Sequence, residues 1–141
     1  MKKKNTDDLQ NELTTAPNLS RFLSVNQDQF IDENFADMLQ ALFQKSGLSK
    51  AALAKRAGTS EVYLYQIFSS GRTPSRDRTI CLCFGLSATL EETQELLKHS
   101  GLAQLYAKNR RDAIIIYGLA HHMELPEIND RLFAENEATL C

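Results

Sequence analysis

The sequence predicts an all-α fold, and three observations carry that expectation. Apolar residues recur near the helical period in segment after segment; no segment sustains the period-2 alternation of a strand; and the segments are punctuated by Ser, Thr and Asn caps and by Gly stops. Of the 141 residues 43% are hydrophobic, enough to build a real core, while 24% are charged with a net charge of -2, which argues against wholesale disorder.

The elements follow in order. Residues 1–18 are polar, with a frayed basic head and a short helix over residues 8–13. Leu19, Phe22 and Leu23 mark a second short helix. The first strong helix starts near Asp32: Phe35, Met38, Leu39, Leu42 and Phe43 keep the i, i+3, i+4, i+7, i+8 pattern, and Gly47 stops it. Ser49 caps the next helix, with Leu53, Ala54 and Ala57 on one face and Gly58 at its end. Ser60 caps another, with Leu64, Ile67 and Phe68 facing inward. The break over residues 69–74 precedes a helix capped by Ser75 that carries Ile80, Cys83, Phe84 and Leu86. Thr89 and Glu92 form a capping box for a helix running through Leu96 and Leu97 to Gly101. Asn109 caps a helix rich in isoleucine, and Pro126 sits in the first turn of the last, with Ile128 and Leu132 on its face.

Several function classes are expected to be absent. No apolar run approaches the roughly 20 residues needed to span a bilayer, and no apolar stretch follows the basic and then acidic N-terminus, so a cytoplasmic protein is expected. The three cysteines form no metal-ligand spacing; Cys81 and Cys83 lie in an apolar run and read as buried small hydrophobes. His121 and His122 point about 100° apart on a helix and belong to a solvated helix end rather than to a chelate. No cofactor is expected, and with no nucleophile elbow or glycine-rich phosphate loop, no enzyme.

Charge is uneven. Residues 48–78 hold six basic side chains against two acidic, residues 79–141 five against nine, and residues 1–47 five against seven. A local basic patch on an acidic chain is what a compact DNA reader can look like, although a solvated charged face has the same composition.

The patch coincides with residues 48–68, where two short helices meet at a tight turn. Ala54 is small where the helices touch, Gly58 four residues later permits the positive φ of the turn, and Ser60 caps the second helix. That is the physical specification of a helix-turn-helix, whose second helix enters a major groove. With Leu48, Ser49, Leu53, Ala54, Gly58, Ser60, Leu64, Ile67, Arg72, Pro74 and Ser75 in place, the segment from about 35 to 86 resembles the Xre family of lambda-repressor-like regulators. Lys50 stands where that family commonly has Gln, Phe68 where it has Glu, Thr59 where it has an aliphatic, and Gly71 falls one residue late.

The resemblance implies a five-helix lambda-repressor-like helix-turn-helix core over residues 32–87, an N-terminal extension over 1–31 and additional C-terminal helices over 88–141. It implies a sequence-specific transcriptional regulator, a repressor above all, that binds double-stranded DNA as a homodimer on two half-sites. Glu61, Val62, Tyr65, Gln66 and Ser69 form the outward stripe of the second helix and are the base-facing candidates: Gln66 can pair with adenine, Val62 can meet a thymine methyl, and Glu61 can accept from cytosine N4. Lys50, Lys55, Arg56, Arg72 and Arg76, with the helix N-termini at Ser49 and Ser60, are the phosphate candidates. Each has a bland reading too: Tyr65 can cover the core edge, Glu61 can simply favour a helix N-terminus, and Arg76 can complete its own helix surface. The acidic C-terminal part, with its apolar run 113–120, can serve dimerisation or bind a protein partner. The competing function is a helical adaptor that keeps the fold and binds protein.

Overall fold

The computed structural model describes residues 4–27, 35–70 and 73–141, and all regular structure among them is helical. The chain divides into two compact units, Met1–Asp32 and Glu33–Cys141. The first holds α1 (Thr6–Thr15) and α2 (Leu19–Val25), capped by the side chains of Asn5 and Asn18. Lys4 bridges them: its Nζ donates to Glu12 of α1 at 2.7 Å and to the buried Asn26 that ends α2. The ammonium beside Glu12 holds that carboxyl below its ordinary value.

The second unit contains α3 (Phe35–Ser46), α4 (Lys50–Arg56), α5 (Glu61–Ser70), α6 (Arg76–Gly85), α7 (Leu90–His99), α8 (Arg110–Ala120) and α9 (Leu125–Ala134). The expected start of the first strong helix near Asp32 lies outside the described residues; from Phe35 its buried side chains are Phe35 and Leu39. Helix α6 is the axis of the unit. Its residues from Thr79 to Gly85 are all buried, and it packs on α4, α7 and α9. A helix that is apolar on every side has to be surrounded. The buried hydroxyl of Thr79 donates from Oγ1 to the Ser75 carbonyl at 2.8 Å, so it is not stranded there.

Caps read from the sequence are present as side-chain hydrogen bonds: Ser49 accepts from Ala52 N–H, Ser60 from Tyr63, Ser75 from Arg78 and Asn109 from Asp112. Thr89 and Glu92 exchange both bonds of the capping box, and the Thr89 N–H, helped by Lys45 at 2.9 Å, holds the Glu92 carboxyl below its ordinary value. Helices α4, α6, α7, α8 and α9 end alike. After α4, Gly58 N–H donates to Lys55 O and Thr59 N–H to Ala54 O, with Gly58 at φ +65°. After α6, α8 and α9 the left-handed position falls on Ser87, His122 and Asn136, at φ 53°, 54° and 59°, where the sequence has no glycine to announce it.

Backbone comes close to backbone where α6 meets the end of α4. A Cβ on Gly85 would stand 3.0 Å from both Ala57 Cβ and Leu53 Cδ1 and 3.1 Å from the Ala57 nitrogen. Gly85→Ala is expected to lower stability by about 1–3 kcal/mol in chemical denaturation, because backbone cannot retreat; an unchanged midpoint would show that the contact is soft. His122→Gly is expected to raise stability by about 0.5–1 kcal/mol, by removing the left-handed strain of an exposed residue; a fall in the midpoint would contradict that account.

Candidate nucleic-acid interface

Helices α4 and α5 pack on each other through Leu53, Ala54, Ala57, Leu64 and Ile67, all at most 4% exposed. Helix α5 also packs on α3. The turn between α4 and α5 is closed by the Thr59 N–H bond to Ala54 O at 2.9 Å, which fixes where α5 begins. Burial of Leu64 and Ile67 turns the opposite stripe outward. Glu61, Val62, Tyr65, Gln66 and Ser69 are all exposed, Val62 by 68% and Tyr65 by 64%. The five base-facing candidates therefore share one open face. Tyr65 does not cover a core edge. Ser69 Oγ donates back to the Tyr65 carbonyl at 2.8 Å, which ties it to its own helix.

Lys50 and Phe68 are neighbours. The Lys50 Nζ lies 5.7 Å from the Phe68 ring centroid and 5.6 Å from that of Tyr65. Phe68 in turn packs at 5.3 Å on Phe43 of α3. A cation above a half-buried ring is an attractive pair worth about 0.5–1 kcal/mol at an exposed site. Lys50 thus sits at the rim of the outward face, with its charge beside Tyr65.

The other phosphate candidates separate into two groups. Ser49 and Ser60 cap α4 and α5, Lys55 is exposed, and Arg56, also exposed, donates to Ser87 Oγ at 2.7 Å. Arg76 is committed elsewhere. Its guanidinium binds both carboxylate oxygens of Asp112, at 2.9 and 3.3 Å, and donates to the carbonyls of Ala103 and Gln104. Asp112 is 6% exposed and accepts also from the Tyr106 N–H at 3.0 Å. The pair ties α6 to α8 and to the loop before it. Nothing local in the sequence announces it, since its members stand 36 residues apart. Arg111 is bound in the same manner, to Asp77 at 3.0 Å and to the Ala138 and Thr139 carbonyls. Arg72 and Gly71 lie outside the described residues. Arg78, counted in the basic patch but not singled out as a contact, places its guanidinium 4.9 Å from the Tyr63 ring centroid.

Among the described residues no three His, Cys, Asp or Glu side chains converge to hold a metal ion, and no helix is long and apolar enough to cross a membrane. Cys81 and Cys83 are buried in α6, and His121 and His122 are exposed at the end of α8.

Asp112→Ala is expected to cost about 3–5 kcal/mol in chemical denaturation, because it leaves a partly buried guanidinium and the Tyr106 N–H without their acceptor. A loss below about 1 kcal/mol, the range of exposed pairs, would mean that the pair is solvated and that Arg76 can leave it. In comparisons with known proteins the chain matches no family model, no curated protein and no solved structure.

Proposed function

We propose that the protein is a sequence-specific DNA-binding transcriptional regulator of the lambda-repressor-like Xre type, acting as a repressor in the cytoplasm, with α5 as the helix that enters the major groove. One observation carries this reading: on the second of two short helices locked by a small-residue contact and a left-handed glycine, the whole outward stripe is open, including the large side chains Val62 and Tyr65. Val62 offers a methyl contact to thymine, Gln66 a bidentate pair to adenine and Glu61 an acceptor for cytosine N4. Lys50 and Lys55, with Arg56 and the capped starts of α4 and α5, supply the phosphate contacts that set register. Arg76 is removed from that set by its bond to Asp112.

The regulator is proposed to bind as a homodimer, spacing two copies of α5 about one helical turn of DNA apart. The C-terminal helices offer the surface for a second copy or for a protein partner. Tyr117 and Phe133 are 57% and 77% exposed, and a groove of about 340 Å³ runs beside Ala113, Ile114 and Tyr117.

A second reading, a protein-binding adaptor on the same fold, is favoured by a different feature of the same face. Helix α5 carries Glu61 and no lysine or arginine, so its exposed Val62 and Tyr65 are also suited to an apolar protein surface.

Fluorescence-anisotropy titration of the full chain, against duplexes from its own upstream region and a shuffled control at two salt concentrations, separates the two. The expected outcome is sequence-dependent binding that weakens with salt. Tyr65→Ala should reduce affinity for the specific duplex by roughly 5- to 150-fold, equivalent to about 1–3 kcal/mol. Lys55→Ala should weaken both duplexes and lower the salt slope by about 1. Silence towards every duplex at low salt would remove the regulator reading and leave the adaptor.

A further inference from the structure

The segment after α9 returns to the helix-turn-helix. Arg111 holds it by the carbonyls of Ala138 and Thr139. Asn129 of α9 holds Leu140 and Cys141: its Oδ1 accepts from the Leu140 N–H at 2.8 Å and its Nδ2 donates to the Cys141 sulfur at 3.2 Å. Leu140 is buried. The Cys141 sulfur reaches the turn between α4 and α5, 3.3 Å from where a Cβ on Gly58 would stand. Cys81 and Cys141 line one small cavity of about 100 Å³ beneath that turn, with Ala57, Gly58 and Leu82.

The two thiols line that one cavity, where the Cys81 Sγ donates to the Leu140 carbonyl at 3.8 Å, and they differ in kind. Cys81 is 3% exposed; burial, together with the adjacent Cys141, pushes its thiol up to about 12. Cys141 is exposed to solvent. Cys83, two residues along α6, is fully buried and lines a different cavity, with Phe84 and Leu119. One accessible sulfur beside one protected sulfur is the arrangement of an attacking and a resolving thiol.

We propose that Cys81 and Cys141 are an oxidisable pair that a peroxide converts to an intramolecular disulfide, tying the tail to α6 beneath the helix-turn-helix turn. The Cys141 thiolate attacks one peroxide oxygen, the O–O bond breaks, and the departing hydroxide leaves as water once protonated. Cys141 is then a sulfenic acid. The Cys81 sulfur attacks the Cys141 sulfur, the S–O bond breaks, and the leaving hydroxide takes the Cys81 proton as a second water. Two thiols and one peroxide become one disulfide and two waters, the sulfurs giving up two electrons and the peroxide accepting them. Cys81 is buried and Cys141 exposed, so peroxide reacts first at Cys141. This chemistry does not depend on what α5 binds.

The test treats the reduced full chain with stoichiometric hydrogen peroxide, natively and in urea, alongside Cys141→Ser and Cys83→Ala. The native chain is expected to lose about 2 Da as a single-chain species. Non-reducing tryptic mapping should join the peptide 79–98 to the peptide 132–141. The melting temperature should rise by about 5–10 °C and fall back with dithiothreitol. Cys83→Ala should behave as the native sequence does, which assigns the link to Cys81, and Cys141→Ser should form no link. Over-oxidation of Cys141 without a link, a two-chain disulfide through Cys141, or a link made as fast in urea as in the native state would overturn the proposal.

Discussion

Seven consecutive buried residues in α6, Thr79 to Gly85, impose the constraint on which the second unit depends. A helix with no solvated side must be given a neighbour on every side. Here α4, α7 and α9 pack along it, α8 joins it through the Arg76–Asp112 and Asp77–Arg111 pairs, and α3 and α5 pack on these neighbours. The α4–α5 pair is therefore one wall of an enclosure around α6. Its position is set by the Gly85 contact with Ala57 and Leu53, where the α4 end comes as close as atoms allow. The C-terminal helices form another wall, and the Arg76–Asp112 and Asp77–Arg111 pairs fasten them to the first turn of α6. The Arg76–Asp112 pair, with its carboxylate buried, is costly to break one-sidedly, which makes it an orienting device more than a source of net stability.

Much of this is legible in the sequence because it is local. Ser49, Ser60, Ser75, Thr89 and Asn109 cap helices through bonds to residues three positions on, so identity and spacing suffice to read them. The inward placement of Leu64 and Ile67, and hence the outward stripe of α5, follows from helical period alone. Non-local chemistry is not legible. Arg76 reads as a phosphate contact because it stands in a basic stretch; what commits it to Asp112 is the fold of the loop near Ala103 and Tyr106, which no short window contains. The left-handed ends at Ser87, His122 and Asn136 escape the sequence for a related reason. Their conformation is imposed by the next residue donating back to the preceding turn, as Ala88 does to Cys83 and Met123 to Gly118.

Lys50 and Phe68 act as one unit at the rim of the α4–α5 pair. Phe68 rests on Phe43 and needs an apolar or cationic cover; Lys50 provides a flexible stem and a charge above the ring. Without Phe68 the lysine would keep only Tyr65 beneath its charge, and without Lys50 the phenylalanine edge would lose its cationic cover. Together they give the α4–α5 pair a rim that is both apolar and positive, next to Tyr65. A positive charge at the rim partly offsets the lack of lysine and arginine within α5 itself.

The tail that packs beneath Gly58 closes a loop of about 80 residues, and loop-closure entropy grows only slowly with such lengths. Its attachment consists of the Arg111 and Asn129 hydrogen bonds, the Cys81 thiol on the Leu140 carbonyl, the Arg110–Glu137 contact at 3.6 Å and one buried leucine. The contacts between α4 and α5, by comparison, join residues close in the chain and are reinforced by α3 and α6. In the hierarchy of native-state openings the tail is thus among the first segments of this unit to detach, well before global unfolding. Each detachment uncovers Ala57, Gly58 and the Cys81 side of α6 while leaving the two short helices assembled. The underside of the turn is consequently visited by solvent far more often than its static burial suggests, and amide exchange there reports the breathing of the tail rather than the stability of the helices it covers.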